Sequence, residues 1–223
     1  MSWEPLNRHS VGKLVYLLLA SLLMGQSGCQ SWGRFWEISG EKELETFFTL
    51  FGGSAANETL NAGCVTSDGG YVLGGQTDSG MASYAGKSAK NAYAGLADYL
   101  IVKFDAKGKY VFHTYLGSTA ADSTPLAVAC TTDGGAIVSG LVATATATMQ
   151  GVTPIIPSIG GADVFAAKLD SNGNISWWTN LGSAGADESR YSVLATKDGG
   201  YVVAVIAQTA VSNLGGMSPI LAY

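Results

Sequence analysis

The chain has 223 residues, of which 47% are hydrophobic and 13% charged, and its formal net charge at pH 7 is −5. This apolar content excludes an intrinsically disordered chain, and the 30 glycines suit a β protein rich in turns. The acidic balance argues against nucleic acid and anionic membrane surfaces as partners.

The N-terminus has the pattern of an export signal. Arg8 and Lys13 precede an apolar run of eleven residues, from Leu14 to Met24. A bilayer-spanning helix needs about 20 apolar residues, so this run is too short to serve as one. Basic residues before a short apolar run are typical of a signal peptide, which we predict for residues 1–28.

The signal ends at Ser27 and Gly28, directly before Cys29. These residues resemble the lipobox of bacterial lipoproteins, although Gln26 departs from the leucine that is usual there. The resemblance implies that Cys29 becomes a lipidated N-terminus, which would anchor the protein to a membrane of the cell envelope, on the periplasmic or the outer surface. The alternative is ordinary cleavage nearby, which would leave a soluble exported protein.

Residues 29–45 are predicted to be a tether, and its aromatic residues are expected to pack on the domain or near lipid headgroups. The β pattern begins with an apolar segment from Thr46 to Phe51. This segment is in register with later strands and predicts the last strand of a repeat that lacks its earlier strands.

An internal repeat organises the remaining chain. The tripeptide Asp-Gly-Gly begins at Asp68, Asp133 and Asp198, which are 65 residues apart, and a short apolar run follows each copy. A fixed period of this length is the signature of a repeat architecture. We predict units at residues 54–117 and 118–182, and a partial unit at 183–223.

Each full unit is predicted to contain four antiparallel strands, a to d, joined by Gly-containing turns. In the first unit these are residues 60–66, 71–76, 98–104 and 110–116. Strand d of the second unit is residues 175–181, and the third unit has strands a and b within 190–208 and the start of strand c at 217–223. Four-stranded units that recur in this way favour an all-β fold of β-propeller blades, with a β-solenoid as the alternative.

Three blocks carry a resemblance to a known family. They are Asp-Gly-Gly-Tyr-Val-Leu-Gly-Gly from Asp68, Asp-Tyr-Leu-Ile-Val-Lys-Phe-Asp-Ala-Lys-Gly from Asp98, and Tyr-Leu-Gly-Ser from Tyr115. The blocks resemble the bacterial SBBP β-propeller repeat, and the resemblance covers residues 46–223. It implies a β-propeller and implies no activity, because a fold does not define a function.

Cys64 and Cys130 are one residue out of repeat register, because Cys64 aligns with Ala129 and Cys130 with Val65. One residue of offset turns a strand side chain to the opposite face. The two cysteines also belong to neighbouring units. Although an exported protein can form disulfides, we therefore expect small buried thiols here.

The aspartates of the turns raise the question of a metal site. Asp170-Ser171-Asn172-Gly173 superficially resembles part of a calcium loop, but it lacks the regular acidic spacing and the terminal glutamate of an EF-hand. Hairpin turn chemistry explains Asp170, its equivalent Asp105 and the Asp-Gly-Gly turns. We predict neither a metal site nor a cofactor.

The candidate binding face lies at the end of the units opposite to those turns. Repeat-equivalent Asn57, Asp122 and Asp187 precede strand a, and long connections follow strand b at residues 77–97 and 143–162. The first connection contains Tyr84 and Tyr93. Long loops in compact domains are often functional, so we expect this face to bind a ligand, with turn capping and mere elaboration as the alternatives.

Catalysis has little support in the sequence. After removal of the signal, the remaining histidine is His113, at a strand position where the other units have Phe48 and Trp178. The function favoured is an exported, lipid-anchored scaffold that binds a protein or carbohydrate. The alternatives are a carbohydrate-active enzyme that uses carboxylates of the propeller face, and a truncated, non-functional fragment, because about four to eight blades close a ring.

Overall fold

The structure is a computed structural model. It describes residues 57–120, 126–143, 145–159, 161–182 and 191–205, together with the backbone of strands 14–20, 32–38 and 47–50. Every regular element in these segments is a β-strand, so the expected all-β class is confirmed. The described residues contain no helix that is long and apolar enough to cross a membrane.

The first three strands form an antiparallel sheet. They are β1 (Leu14–Ala20), β2 (Trp32–Ile38) and β3 (Phe47–Leu50), in the order β1-β2-β3. β1 and β2 fall within the segments predicted as signal and tether, where no strand was predicted. β3 pairs with β2, which corrects the expectation that this strand stands without a unit of its own. Aromatic residues favour strands, and they are frequent in β2.

Unit 1 is a four-stranded antiparallel sheet, β4-β5-β8-β9. Its strands are β4 (Glu58–Val65), β5 (Tyr71–Thr77), β8 (Asp98–Phe104) and β9 (Tyr110–Leu116). The last two have the predicted bounds. A small hairpin, β6 (Ser83–Tyr84) and β7 (Lys87–Ser88), lies in the loop between β5 and β8.

Unit 2 repeats this arrangement as β10-β11-β12-β13. Its strands are β10 (Ala127–Cys130), β11 (Ala136–Val142), β12 (Asp163–Leu169) and β13 (Ile175–Leu181). Unit 3 is described as two paired strands, β14 (Tyr191–Ala195) and β15 (Tyr201–Val205), which correspond to strands a and b. The predicted strand c at 217–223 lies outside the described residues.

Units 1 and 2 stack face to face around one apolar core. Tyr99 of β8 has its ring centroid 5.6 Å from that of Phe165 in β12. The Tyr99 hydroxyl also crosses to β11, where it accepts a hydrogen bond from Leu141 N at 2.8 Å and donates one to Leu141 O at 2.9 Å. Both tyrosine and phenylalanine are fully buried. Unit 3 continues the stack, because β14 contacts both β10 and β11.

Cys64 of β4 and Cys130 of β10 form a disulfide, with Cα atoms 5.5 Å apart, so the expectation of buried thiols is wrong. The physical reason lies in the stacking of the units. When repeated sheets stack in one direction, the face that one sheet turns forward meets the opposite face of the next sheet. An offset of one residue moves a side chain to that opposite face, and it therefore brings the two thiols together.

The other face of unit 1 has a core of its own. Leu100, Val102 and Tyr115 are almost completely buried there. Met81 and Tyr84, from the loop between β5 and β8, pack against this core. The long loop is therefore part of the packing of unit 1.

Candidate functional site

The sheet of unit 1 has a loop end and a turn end. The register pairs Glu58 with Thr77 and Thr77 with Asp98, so strand a begins beside the long loop that follows strand b. The turns at Asp68 and Asp105 join the strands at the other end. The predicted separation of these two groups is confirmed for unit 1.

Asn57, the first residue of the predicted candidate face, is a partner of Asp78 at the loop end. Its backbone N–H donates to Asp78 Oδ1 at 2.8 Å, and its side-chain Nδ2 donates to Asp78 Oδ2 at 2.7 Å. These hydrogen bonds lower the pKa of Asp78. Asn57 thus fastens the start of strand a to the start of the long loop. Its repeat equivalents Asp122 and Asp187 lie outside the described residues.

Tyr84 and Tyr93 lie in the long loop of unit 1, which folds over strand d. The Tyr84 ring packs edge-on against Tyr110 with centroids 4.9 Å apart, and the Tyr93 ring packs on Tyr115 at 5.7 Å. Burial raises the pKa of both loop tyrosines. Each keeps part of its surface accessible, so the pair can contribute an aromatic rim while it anchors the loop.

Both long loops also pair with the free edge of strand d, which sequence analysis did not anticipate. Lys90 N donates to His113 O at 3.0 Å in unit 1, and repeat-equivalent Ile155 N donates to Trp178 O at 2.9 Å in unit 2. An uncovered strand edge exposes unpaired backbone groups and invites aggregation. These loops protect the edge, so they have a structural role in addition to any role in recognition.

The loops still present apolar side chains to solvent. Leu96 is 70% exposed, Ile155 is 69% exposed and Ile159 is 46% exposed. The exposed parts of these side chains do not pack in the core. Of the described loop residues, these three are therefore the best placed to contact a ligand without disturbing the sheet.

Buried aspartates anchor the loops where they return to strand c. Asp163 Oδ2 accepts hydrogen bonds from Ser158 Oγ at 2.5 Å and from Ile159 N at 3.0 Å. Its equivalent Asp98 accepts one from Ala94 N at 2.6 Å through Oδ2. Both aspartates are only 1% exposed. The sequence signal for them was their repeat equivalence at the first position of strand c.

Gln150 is a bridging residue that sequence analysis missed. Its Nε2 donates to Thr114 Oγ1 of unit 1 at 2.9 Å and to Gly173 O of unit 2 at 3.0 Å, and its Oε1 accepts a hydrogen bond from Ile175 N at 2.8 Å. Gln150 has φ 52°, close to the φ of 49° at its equivalent Ala85. The loop of unit 2 is thus wedged between the outer strands of both units.

The turn end has two charged pairs in equivalent positions. Lys103 Nζ lies 3.2 Å from Asp68 Oδ2, and Lys168 Nζ lies 2.9 Å from Asp133 Oδ2. The lysines are buried, whereas each aspartate side chain is 59% exposed. The pKa values of Asp68 and Asp133 are lowered to about 2. The largest cause is a hydrogen bond from a threonine hydroxyl, that of Thr66 or Thr131.

Asp105 and Asp170 accept hydrogen bonds within their own turns, as predicted. Asp170 Oδ1 accepts hydrogen bonds from Asn172 N at 2.8 Å and Asn174 N at 2.9 Å, and Asp105 Oδ1 receives the equivalent pair. In the side chains that the structure describes, no group of three or more histidine, cysteine, aspartate or glutamate residues is arranged to hold a metal ion.

His113 is packed in the unit 1 core and takes part in two hydrogen bonds. Its Nε2 lies 3.0 Å from Met81 O and its Nδ1 lies 2.6 Å from Tyr110 Oη. A carbonyl only accepts, so Nε2 carries the proton and Nδ1 of the neutral ring accepts from Tyr110. Burial lowers the pKa of His113. A fully buried ring in this setting fits the expected packing role.

Taken together, the geometry defines an all-β repeat protein of stacked antiparallel sheets, with loops and accessible apolar side chains at one end. No protein-family model matches the chain, and the comparison with curated proteins gave no match either. The class of protein therefore stands on the repeat and the packing alone.

Proposed function

We propose that this chain is an exported β-propeller repeat scaffold, anchored by a lipid at Cys29, that binds a protein or carbohydrate at the loop end of its units. The observation that carries the proposal is the disulfide between Cys64 and Cys130, which ties two consecutive units together. Disulfides persist in oxidising compartments such as the cell envelope and are rare in the cytosol. This agrees with the export signal.

A propeller arrangement is supported by the way the units meet. Each four-stranded sheet stacks on the next, and strand a of unit 1 contacts strand a of unit 2. The loop of unit 2 fills the outer gap through Gln150. In a propeller, neighbouring blades are closest at strand a and furthest apart at strand d. The space between the outer strands must therefore be filled, as Gln150 does here.

A binding role is favoured because the loop end combines a held framework with accessible side chains. Asn57, Asp98 and Asp163 fix the bases of the loops. Leu96, two residues before Asp98, is exposed, and so is Ile155, where the loop of unit 2 pairs with strand d. Recognition residues on loops that a rigid scaffold positions are a common arrangement in binding proteins.

Export and anchoring can be tested on the protein as cells make it. We expect the wild-type chain to fractionate with membranes and the Cys29→Ala variant to become soluble. Alkylation before and after reduction should label Cys64 and Cys130 only after reduction. A mature N-terminus mapped elsewhere would contradict the anchor, and alkylation of both residues without reduction would contradict export.

Ligand binding can be tested with a glycan array and an assay of reducing-sugar release. We expect the mature chain to bind a set of glycans without turnover, and we expect Leu96→Ser with Ile155→Ser to reduce that binding at least about tenfold. The matched control is Lys107→Ala, an exposed residue at the turn end. Sugar release that a single carboxylate substitution abolishes would instead favour the enzyme, and absence of glycan binding would leave a protein as the ligand.

A further inference from the structure

Four exposed lysines lie along the outer edge of unit 1, and we call this surface the basic edge. Lys87 Nζ donates to Val111 O of strand d at 2.9 Å, and Lys90 N donates to His113 O of the same strand at 3.0 Å. The other two belong to the turn that directly precedes strand d. Because a strand rises about 3.4 Å per residue, the lysines share a stretch of roughly 15 Å. They are Lys87, Lys90, Lys107 and Lys109.

The acidic groups beside the basic edge do not neutralise it. Asp105 is in the same turn, and its Oδ1 accepts hydrogen bonds from the N–H groups of Lys107 and Lys109, both at 2.9 Å. Asp68, in the adjacent turn, is already paired with the buried Lys103. The edge therefore carries a positive excess, although the whole chain has a net charge of −5. The overall acidic balance, which argued against an anionic membrane surface, averages over this separation of charge.

Unit 2 builds the same edge without these charges. Ile155 N pairs with strand d as Lys90 N does in unit 1, and Asp170 accepts hydrogen bonds from its turn as Asp105 does. The fold therefore does not require lysine at these positions, and a role outside folding is the better explanation of the charge. The repeat equivalents of the lysines are Val152, Ile155, Asn172 and Asn174.

We infer that the basic edge lies against an anionic lipid bilayer and sets which side of the domain faces the membrane. Its groups come from an outer strand, a hairpin and a turn, which form an extended edge and suit an extended partner. Tyr84 adds a partly exposed aromatic ring beside Lys87, since both side chains contact the ring of Tyr110. Tyrosine is favoured where an apolar layer meets water.

Screening by salt lets the basic edge act independently of the rest of this acidic domain. Exposed charges more than about 8 Å apart are largely screened at physiological ionic strength, so acidic groups on other sides contribute little to the contact. Each lysine near an anionic bilayer contributes about fivefold to the equilibrium constant of binding. The inference rests on the proposed lipid at Cys29, which would hold unit 1 within reach of the bilayer, and it adds the orientation of the domain.

Lysine footprinting tests the contact on the full wild-type chain. The protein would be mixed with phosphatidylcholine vesicles or with vesicles that also contain phosphatidylglycerol, acylated by a water-soluble reagent, and mapped by mass spectrometry. We expect the basic edge to react at least about fivefold more slowly on the anionic vesicles, and high salt should remove the difference. Lys197, an exposed lysine of unit 3, is the internal control and should react equally on both.

Residues taken from unit 2 provide the matched variant. Lys107→Asn with Lys109→Asn should preserve the fold, because the equivalent turn has asparagine at both positions, and should abolish the protection of Lys87 and Lys90. Lys197→Asn should leave that protection unchanged. Equal labelling of the basic edge on both kinds of vesicle would overturn the inference. Protection by dextran sulfate without protection by anionic vesicles would also overturn it and would indicate an acidic polysaccharide.

The outcome for the proposed anchor is separate. A chain that fractionates with both kinds of vesicle but shows no protection of the basic edge contradicts the inference and keeps the anchor. Protection on anionic vesicles in a chain whose Cys29 carries no lipid supports the inference and contradicts the anchor.

Discussion

Lys103 Nζ of unit 1 lies 3.0 Å from the carbonyl oxygen of Gly134 in the first turn of unit 2. The same ammonium group pairs with Asp68 in its own unit. Lys103 is only 3% exposed, so its charge is held by these two partners in place of water. One buried lysine thereby links the turn of one unit to the turn of the next.

Replacement of Lys103 by methionine should weaken this link while it keeps the apolar stem. The exposed Asp68 can be hydrated after the change, but Gly134 O loses a charged donor. Hydrogen bonds to charged groups contribute about 1.5–3 kcal/mol, so we expect a loss of roughly that free energy of unfolding. Urea unfolding measures it. Lys107→Met, in an exposed turn, should stay within about 0.5 kcal/mol of wild type, and an equal effect of the two variants would contradict the role of Lys103.

Asp68 and Asp133 should make the protein sensitive to acid. Hydrogen bonds from Thr66 and Thr131 lower the pKa of the two carboxyls from 3.8 to about 2 in the folded state. A depressed folded-state pKa contributes stability that is present above pH 3.8 and is lost as the pH falls through about 2.

The threonine hydroxyl is the largest cause of the shift, so its removal gives a test. In Thr131→Val, the pKa of Asp133 should rise towards 3.8, so the acid-induced loss that this carboxyl causes should become smaller and should be complete at a higher pH. Urea midpoints measured across this range would show the change. Asp133→Asn is the matched control, because it removes the titration and should flatten that part of the profile. An unchanged profile in both variants would contradict the assignment.

His113 should produce a second pH dependence nearer to neutrality. Burial lowers its pKa below the ordinary 6.5, with an opposing contribution from the hydrogen bond to Met81 O. The neutral ring therefore stabilises the fold fully above pH 6.5, and this stability is lost as the pH falls through the folded-state pKa. The other histidine, His9, lies within the predicted signal.

In a chain that lacks residues 1–28, His113→Phe should flatten the stability profile just below pH 6.5. The variant should also be less stable than wild type at neutral pH, because the hydrogen bonds of His113 with Tyr110 and with Met81 O are lost. Urea unfolding at a series of pH values separates the two effects. A wild-type slope that persists in the variant would show that another group is responsible.

Much of the local structure of the units could be predicted from the sequence, because it depends on local signals. Glycine in the Asp-Gly-Gly turns adopts positive φ, as at Gly69 and Gly134, and apolar runs follow directly. Strands c and d of unit 1 and strand d of unit 2 also have the predicted bounds. These features need no knowledge of how the units meet.

The contacts between units were harder to predict, because they depend on the direction of stacking. The register offset of Cys64 and Cys130 was visible in the sequence. It puts the two thiols on opposite faces of their sheets, and because opposite faces of successive sheets meet in the stack, it brings the thiols together. The bridge made by Gln150 had a faint signal, since Gly86 and Gly151 are 65 residues apart. The pairing of the loops with strand d had none, because Lys90 and Ile155 share only their backbone position.

Gly140 should be the most sensitive small residue at the junction of units 1 and 2. A Cβ atom there would lie 2.7 Å from ring atoms of both Phe165 and Tyr99. The Tyr99 hydroxyl makes hydrogen bonds to both backbone groups of Leu141, so the ring cannot retreat without breaking them. The glycine is therefore required for the close approach of the two sheets.

We expect Gly140→Ala to lower the free energy of unfolding by about 1–3 kcal/mol, the usual cost of overpacking a core. Gly161→Ala is the matched control, since a Cβ atom there would meet nothing within 4 Å. Combining Gly140→Ala with Phe165→Leu removes ring atoms from the clash and should recover part of the loss relative to Phe165→Leu alone. Chemical denaturation of the wild type, Gly140→Ala, Phe165→Leu and the double variant measures the coupling, and purely additive effects would show that the methyl group does not act through Phe165.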